Sequence, residues 1–244
     1  MSTLGEMSVL VVTGTDTGAG KTVVCAALAA LARSRGASVA VVKPAQCGVA
    51  PGERGDMDEV IRLSGVQTTF ELARFEQPLS PAAAARAAGV APVSLPRAAL
   101  RIRELAESTR LVIVEGSGGL LVRYDEDGAT IADLARLLGA QVLVVTKAGY
   151  AAVNHTALTL EALAHRGLDL AGVVIGRWPD EPGLTARSNV ADLEMLAARP
   201  LAGAIPEGAE RLDPDAFEAV ARRGLAVTLG GAFDPAAFRA SFRV

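Results

Sequence analysis

The stretch Ser8-Val9-Leu10-Val11-Val12-Thr13-Gly14-Thr15-Asp16-Thr17-Gly18-Ala19-Gly20-Lys21-Thr22 joins an apolar run to a glycine-rich turn and then to Gly-Lys-Thr. An alanine-rich helical pattern follows over about 21–35. Glycines let successive backbone N–H groups curl around an anion, and the start of the helix adds its positive end. In this context Lys21 is placed to reach the β- and γ-phosphates of a nucleotide, and the Thr22 hydroxyl to bind Mg²⁺. Five residues separate Gly14 from Gly20, one more than in the usual G-x-x-x-x-G-K form. A glycine-rich turn with an incidental lysine is the competing reading. The strand–turn–helix order speaks against it.

Lysine usage points to the same region. The chain holds three lysines, Lys21, Lys43 and Lys147, against 21 arginines. Each lysine closes a short apolar run: Lys43 follows Val39-Ala40-Val41-Val42, and Lys147 follows Val142-Leu143-Val144-Val145-Thr146. A compact ammonium and a planar guanidinium differ in size, reach and hydration. Lysine kept at three strand ends in an arginine-rich chain marks positions where arginine does not serve. In open α/β sheets, ligands bind outside the carboxyl ends of the strands.

The whole chain fits that class. Its 244 residues are 50% hydrophobic and 4% aromatic, a composition for one domain, 1–244, with an aliphatic core. Strand-like runs at 8–13, 38–43, 110–115, 141–146, 171–176 and 201–205 alternate with helical patterns. The helices fall near 21–35, 56–64, 81–88, 96–107, 131–138, 154–166, 184–198 and 214–223, with a small final helix in 230–244. Near-continuous Val/Leu/Ile runs suit strands covered on both faces. The alternation predicts a doubly wound, mostly parallel α/β sheet with helices on both faces. Segments 49–56 and 177–183 read as surface loops. A net charge of −3 argues against a general nucleic-acid or membrane-surface binder. Cys25 and Cys47 make no disulfide framework or metal-ligand spacing, and the N-terminus lacks signal-peptide character. The expected setting is the cytoplasm.

Two carboxylates extend the phosphate site. Leu111-Val112-Ile113-Val114 runs into Glu115 and then Gly116-Ser117-Gly118-Gly119, a strand-end carboxylate beside glycines that let backbone approach phosphates. The second candidate is Asp56, in Gly55-Asp56-Met57-Asp58-Glu59. Taken alone it reads as a helix-capping residue, and spacing does not choose between Asp56 and Asp58. Mg²⁺ accepts a few carboxylates or hydroxyls with waters and phosphate oxygens. The sequence shows no Ser-His-Asp or Cys-His arrangement for covalent catalysis.

The string Thr13-Gly14-Thr15-Asp16-Thr17-x-x-Gly20-Lys21-Thr22 resembles the P-loop of dethiobiotin synthetases, whose form has this five-residue spacing. Further matches come in order: Lys43-Pro44-x-x-x-Gly48, Asp56, Ser80-Pro81, Val114-Glu115-Gly116-x-Gly118-Gly119 and Asn154-His155-x-x-Leu158-Thr159. The resemblance spans residues 9 to about 206. It implies a P-loop NTPase-type fold and an ATP- and Mg²⁺-dependent cyclo-ligase. The reaction implied joins 7,8-diaminononanoate and CO₂ to give dethiobiotin, ADP and phosphate, a step of biotin biosynthesis. It implies catalytic roles for Lys21 and Lys43, with Thr22, Asp56 and Glu115 as metal ligands. Nucleotide contacts fall on Gly18, Ala19, Gly20, Lys21, Thr22, Val23, Asp56, Glu115, Gly116, Ser117 and Gly118, with Gly176, Arg177, Pro206 and Glu207 near the base. Substrate contacts fall on Thr17, Lys43 and Cys47. Across a homodimer interface, the helix start at Ala151, Ala152, Val153 and Asn154, with Asn189, would receive the substrate carboxylate.

Some positions depart from the family pattern. Cys47 stands where Ser or Thr is usual, and a thiol is a weak hydrogen-bond partner. Gly176 stands where an Asn often reads the adenine edge. Ala151 stands where Gly is common. The competing functional class is a partitioning-type P-loop switch ATPase. That group usually carries a second lysine inside the P-loop, and residues 15–19 hold none.

Overall fold

A computed structural model describes residues 9–242. Ser8, assigned to the first strand, Arg243 and Val244 in the tail, and the N-terminal residues weighed as a signal peptide lie outside the described residues. The chain alternates through β1 (Val9–Gly14), α1 (Lys21–Ser34), β2 (Val39–Lys43), β3 (Gln46–Cys47), α2 (Asp56–Ser64), β4 (Thr69–Glu71), β5 (Arg74–Phe75), α3 (Pro81–Ala88) and α4 (Leu95–Ser108). It continues through β6 (Leu111–Gly119), α5 (Ile131–Leu138), β7 (Gln141–Thr146), α6 (Ala152–His165), β8 (Leu170–Trp178), α7 (Leu184–Ala197), β9 (Gly203–Pro206), α8 (Pro214–Gly224) and α9 (Pro235–Ser241).

Seven strands form one sheet in the order β4-β2-β6-β1-β7-β8-β9, and every pairing in it is parallel. The doubly wound expectation holds. The chain leaves β1 towards β2 and β4, returns through β6 to fill the place beside β1, then proceeds to β7 on β1's other side. That reversal makes a switch point at the carboxyl end of β1, where a crevice opens in sheets of this kind.

Alternate residues of each strand serve opposite faces, the period-2 rule of a pleated strand. Leu10, Val12, Ile113, Leu143 and Val145 pack with α1, α2 and α8 through Leu28, Leu31, Val60, Leu63 and Phe217. Val11, Val112, Val114, Val142 and Val144 pack with α4, α5 and α7 through Ile102, Leu134 and Leu193. Helix α1 is buried from Val23 to Leu31. A helix that is apolar all round has to be enclosed on all sides, and α1 lies between the sheet, α2 and α8. Its alanines keep the neighbouring helices close.

Element type was legible, and some boundaries and short elements were not. The helix expected at 154–166 begins at Ala152, with Ala151 in the left-handed region (φ 62°) as its N-cap. Asn154 is therefore the third helical residue and does not cap. β8 runs on to Trp178 and takes the first two residues of the expected 177–183 loop. β4 and the two-residue pair β3–β5 are too short to show a periodic pattern. The final helix lies at Pro235–Ser241, with Asp234 as its cap: the side chain accepts from the N–H groups of Ala236 and Ala237.

Leu28→Ala tests the role of α1, because Leu28 is fully buried between the sheet and its neighbours. It should lower stability by about 3 kcal/mol, seen as a lower urea midpoint with unchanged slope. A loss near zero would mean that α1 is not the packed centre of its layer.

Candidate functional site: a phosphate cradle and a buried ion triad

The turn after β1 is shaped by backbone contacts that only glycine permits. A Cβ on Gly14 would stand 2.7 Å from the Asp16 carbonyl oxygen and 3.1 Å from Lys21 Nζ. Gly18 (φ 73°) and Gly20 (φ 97°) lie in the left-handed region, which β-carbons disfavour. Gly20 also abuts Gly176 of β8. A Cβ on Gly20 would meet the Gly176 oxygen at 2.5 Å, and one on Gly176 would meet the Ala19 oxygen at 2.0 Å. Packing therefore requires glycine at 176, because a side chain there would push the phosphate cradle aside. Helix α1 starts at Lys21, which is 8% exposed and folds back so that Nζ donates to the Asp16 carbonyl at 3.3 Å. Burial pushes the Lys21 ammonium down, with the nearby Glu115 carboxylate pulling the other way.

Beside the cradle lies an ion triad in which Lys43 and Glu115 are buried and Asp56 is 36% exposed. The β2–β6 register pairs Val42 with Val114, so the next residues, Lys43 and Glu115, stand level at the strand ends. Lys43 is 4% exposed and Glu115 is 1% exposed. Lys43 Nζ lies 2.9 Å from Glu115 Oε1 and 2.5 Å from Asp56 Oδ2. Burial by itself would push Lys43 down; the Glu115 and Asp56 carboxylates outweigh it and hold Lys43 well above the ordinary lysine range. Thr22 Oγ1 donates to Glu115 Oε1 at 2.8 Å, while Glu115 Oε2 is buried with no hydrogen-bond partner among the described residues.

The structure resolves the choice between the two aspartates of α2. Asp58 reaches back to accept the Gly55 N–H at 2.8 Å, so it does the capping. That corrects the capping role read for Asp56, whose carboxylate faces Lys43. The Asp56 N–H is held by Gln46 Oε1 at 2.9 Å. Arg74 braces the preceding loop, donating to the carbonyls of Ala50 and Glu53 and pairing with Glu71.

These groups open on one cleft of about 690 Å³. Thr17, Gly18, Gly20, Lys21, Thr22, Val23, Lys43, Cys47, Asp56, Glu115, Ser117, Gly118 and Arg177 all line it. Ala19 is buried beneath, and Gly116 packs against Ile131. Burial raises the half-buried Cys47 thiol above its ordinary value, so it faces the cleft protonated. Pro206 and Glu207 stand at the end of β9 beside Trp178, whose carbonyl accepts the Glu207 N–H at 2.7 Å. Ala151, Ala152, Val153 and Asn154 lie at the start of α6, apart from these lining residues. Asn189 Nδ2 donates to the carbonyls of Ala148 and Gly149, both at 2.9 Å, and so holds the loop before α6.

Three groups escaped the sequence reading. Gln46 lies inside the Lys43–Gly48 string, and its polar side chain in an apolar context was a usable signal. Tyr124, fully buried, accepts the Ser117 N–H at 2.9 Å, and Ser117 Oγ donates to the Ala45 carbonyl at 2.7 Å; no local pattern marks it. Lys147, noted only as a strand-end lysine, pairs with Asp16 Oδ2 of the cradle at 3.0 Å.

The fold and cleft define a P-loop NTPase with a carboxylate–lysine centre. Among solved structures, the cell division ATPase MinD of Pyrococcus furiosus matches with a TM-score of 0.56 at 17% identity, covering 92% of this chain and 97% of that one. A ParA family ATPase from Chlorobium tepidum matches at 0.54 and 15%, covering 91% of each chain. Both are similar in fold alone. A family model described as an AAA domain matches residues 8–214. The ATP-dependent dethiobiotin synthetase BioD of Frankia casuarinae is 62% identical, covering 97% of this chain and 99% of its own. That of Parafrankia sp. is 60% identical, covering 98% and 100%, and that of Mycobacterium bovis 50%, covering 88% and 93%. The chain belongs to the ATP-dependent dethiobiotin synthetase family.

Two outcomes follow from this geometry. Gly176→Ala should displace the Ala19–Gly20 backbone and lower ATP affinity by about tenfold or more, a strained-backbone cost of roughly 1–3 kcal/mol; titration calorimetry showing unchanged affinity would refute the packing argument. The second concerns Asp16, which the Lys147 hydrogen bond and then the Thr17 N–H hold below the usual carboxylate range. A depressed folded value means the tie is fully present above the ordinary carboxylate pKa of about 4 and is lost as pH falls through the lower folded value. Lys147→Met should move Asp16 titration upward in carboxyl ¹³C NMR, and an unmoved titration would remove the pairing.

Proposed function

We propose that the protein carboxylates 7,8-diaminononanoate with CO₂ and closes the ureido ring at the expense of ATP, giving dethiobiotin, ADP and phosphate. The observation that carries this reading is the Lys43–Glu115–Asp56 triad set beside the Gly18–Thr22 cradle in one cleft. It belongs to a chain 50 to 62% identical to named dethiobiotin synthetases.

The donor set suits Mg²⁺. The Thr22 hydroxyl and the Asp56 and Glu115 carboxylates are hard oxygen ligands of the kind this ion takes. The buried Glu115 Oε2 lacks a partner within the protein, and a buried polar atom left unpaired is costly. Bound there, Mg²⁺ would neutralise phosphate charge.

Carbamate forms when one amine of the diamine adds to CO₂ and loses a proton. Transfer of the γ-phosphoryl group to the carbamate oxygen gives a mixed anhydride and ADP. The second amine then attacks the carbonyl carbon and expels phosphate, closing the ring. Phosphoryl transfer is catalysed mostly by positioning and charge neutralisation. Lys43, kept cationic by its two carboxylates, stabilises the anionic carbamate and the transferring group without moving a proton. Lys21, destabilised as a cation by burial, regains a favourable partner in the β- and γ-phosphates. The N–H groups of Gly18, Ala19, Gly20, Thr22 and Val23 cradle the phosphates, with Gly116, Ser117 and Gly118 on the opposite side. Thr17 and Cys47 face the diamine end. Gly176 contributes backbone only, so with Arg177, Pro206 and Glu207 it frames the base and discriminates modestly among nucleosides.

We place the substrate carboxylate at the α6 N-terminus of a second copy in a homodimer. In support, Ala151 adopts φ 62° without being glycine, a strained conformation typical of functional sites. Asn189 secures the Ala148–Gly149 carbonyls behind it. The neighbouring Tyr150 and Leu158 are exposed large side chains, as an interface would use. Both cysteines are free thiols, in keeping with a cytoplasmic setting. Among the described residues no helix is long and apolar enough to cross a membrane.

Purified protein with ATP, Mg²⁺ and bicarbonate should release phosphate only when diaminononanoate is present, with dethiobiotin seen by mass spectrometry. Lys43→Arg should cut kcat about 100- to 1000-fold, the scale of losing one preorganised charge contact. Turnover indifferent to the diamine would favour the switch ATPase instead.

A further inference from the structure

Trp178, the chain's one tryptophan, packs against Phe238 and Phe242, and Phe233 packs against Phe238. Its ring centroid lies 4.9 Å from Phe238 and 4.8 Å from Phe242, and Phe238 lies 5.1 Å from Phe233. Phe238 belongs to α9, and Phe242 follows it. Trp178 is 7% exposed and is the last residue of β8, directly after Gly176 and Arg177. Gly176 touches the cradle and Arg177 lines the cleft. Trp178 is also the register partner of Pro206, and its carbonyl accepts the Glu207 N–H. One residue thus connects both backbone segments that frame the base to the C-terminal helix.

That helix is itself anchored. Arg239 pairs with Glu194 Oε2 at 2.6 Å, and Glu194 Oε1 accepts the Leu201 N–H at 3.1 Å. Upstream, the Phe233 N–H donates to the Leu225 carbonyl at 2.9 Å. Gly231 lies so close to the 225 carbonyl that no side chain fits. The segment leading to α9 is therefore held in place, and its rings meet Trp178 in a defined position.

We propose that the aromatic clamp of α9 on Trp178 positions the 176–177 and 206–207 backbone against the nucleotide base. Phe238 and Trp178 then act as positioning residues for base binding, and the phosphates are left to the cradle. The inference rests on the reading of this cleft as the ATP site. The ends of β8 and β9 meet through the Trp178–Pro206 pair, and a small shift of Trp178 moves both. The Gly18–Val23 loop is also tied through Asp16 to Lys21 and Lys147, so a shift at Trp178 reaches the phosphate contacts less than it reaches 177 and 206.

The test compares two probes by titration calorimetry on the full chain with Mg²⁺: ATP, and inorganic tripolyphosphate, which lacks a base. ATP binding by the unaltered protein checks the nucleotide reading by itself; if ATP does not bind, that reading and the clamp both fall. Phe238→Ala removes ring contacts with Trp178, Phe233 and Phe242, of which the Trp178 contact bears on the base; with ATP bound it should weaken ATP about fivefold to tenfold, the scale of one aromatic pair, and tripolyphosphate less than about twofold. Phe238→Tyr should restore ATP binding. Equal weakening of both probes would show a merely structural role and overturn the proposal, as would no weakening of either. Should Phe238→Ala fail to fold, Phe242→Ala at the chain end is read by the same ratio. In the unaltered protein, ATP should change Trp178 fluorescence more than tripolyphosphate does; equal changes would count against the clamp.

Discussion

The rest of the site depends on one buried charge pair, Lys43 with Glu115. Removing a carboxylate and an ammonium from water costs several kcal/mol per ion, and only close pairing with further hydrogen bonds offsets it. Here the offset comes from three elements at once. β2 supplies Lys43, β6 supplies Glu115, and α2 swings Asp56 into contact with the same ammonium. Thr22 adds a hydroxyl from the first turn of α1. Such a pair contributes little net stability relative to an apolar core. It does hold charges in fixed places where water cannot screen them, which suits phosphoryl chemistry.

A second constraint is the closeness of backbone to backbone around the cradle. Gly14, Gly20 and Gly176 each stand where a methyl group would collide with a carbonyl oxygen. The cradle is therefore locked to β8 as well as to β1. This puts Gly176 of β8 in direct contact with the Ala19–Gly20 backbone of the loop. Lys147 does the same from the β7 side through Asp16. All three lysines consequently bear on the cradle: one inside it, one in the triad, one bracing its outer turn.

Local pattern made much of this visible. The apolar runs and helical periods located the six longer strands and the helices, because burial on both faces of a parallel sheet writes itself as continuous Val and Ile. The Gly-Lys-Thr turn, Glu115 at a strand end and the lysine distribution marked the cleft. Tyr124 and Arg74 were not visible, since their roles rest on loop contacts that follow no helical or strand period. The helical pattern over 154–166 missed the true start of α6, which lies two residues earlier at Ala152 with Ala151 in the left-handed region.

The sequence by itself determined the fold class, the phosphate cradle and the identity of the charged groups, because strand burial, glycine-dependent turns and helix starts are set by neighbours along the chain. Tertiary structure alone decided which aspartate faces Lys43, that Gly176 is required for packing, and that the C-terminal rings pack on Trp178 at the end of β8. The register of β2 on β6 brings Lys43 level with Glu115, and the capping of α2 by Asp58 turns Asp56 inward. The Lys43–Glu115 pair joins segments 72 residues apart in the chain, and that distance is set only when the sheet assembles and its core closes.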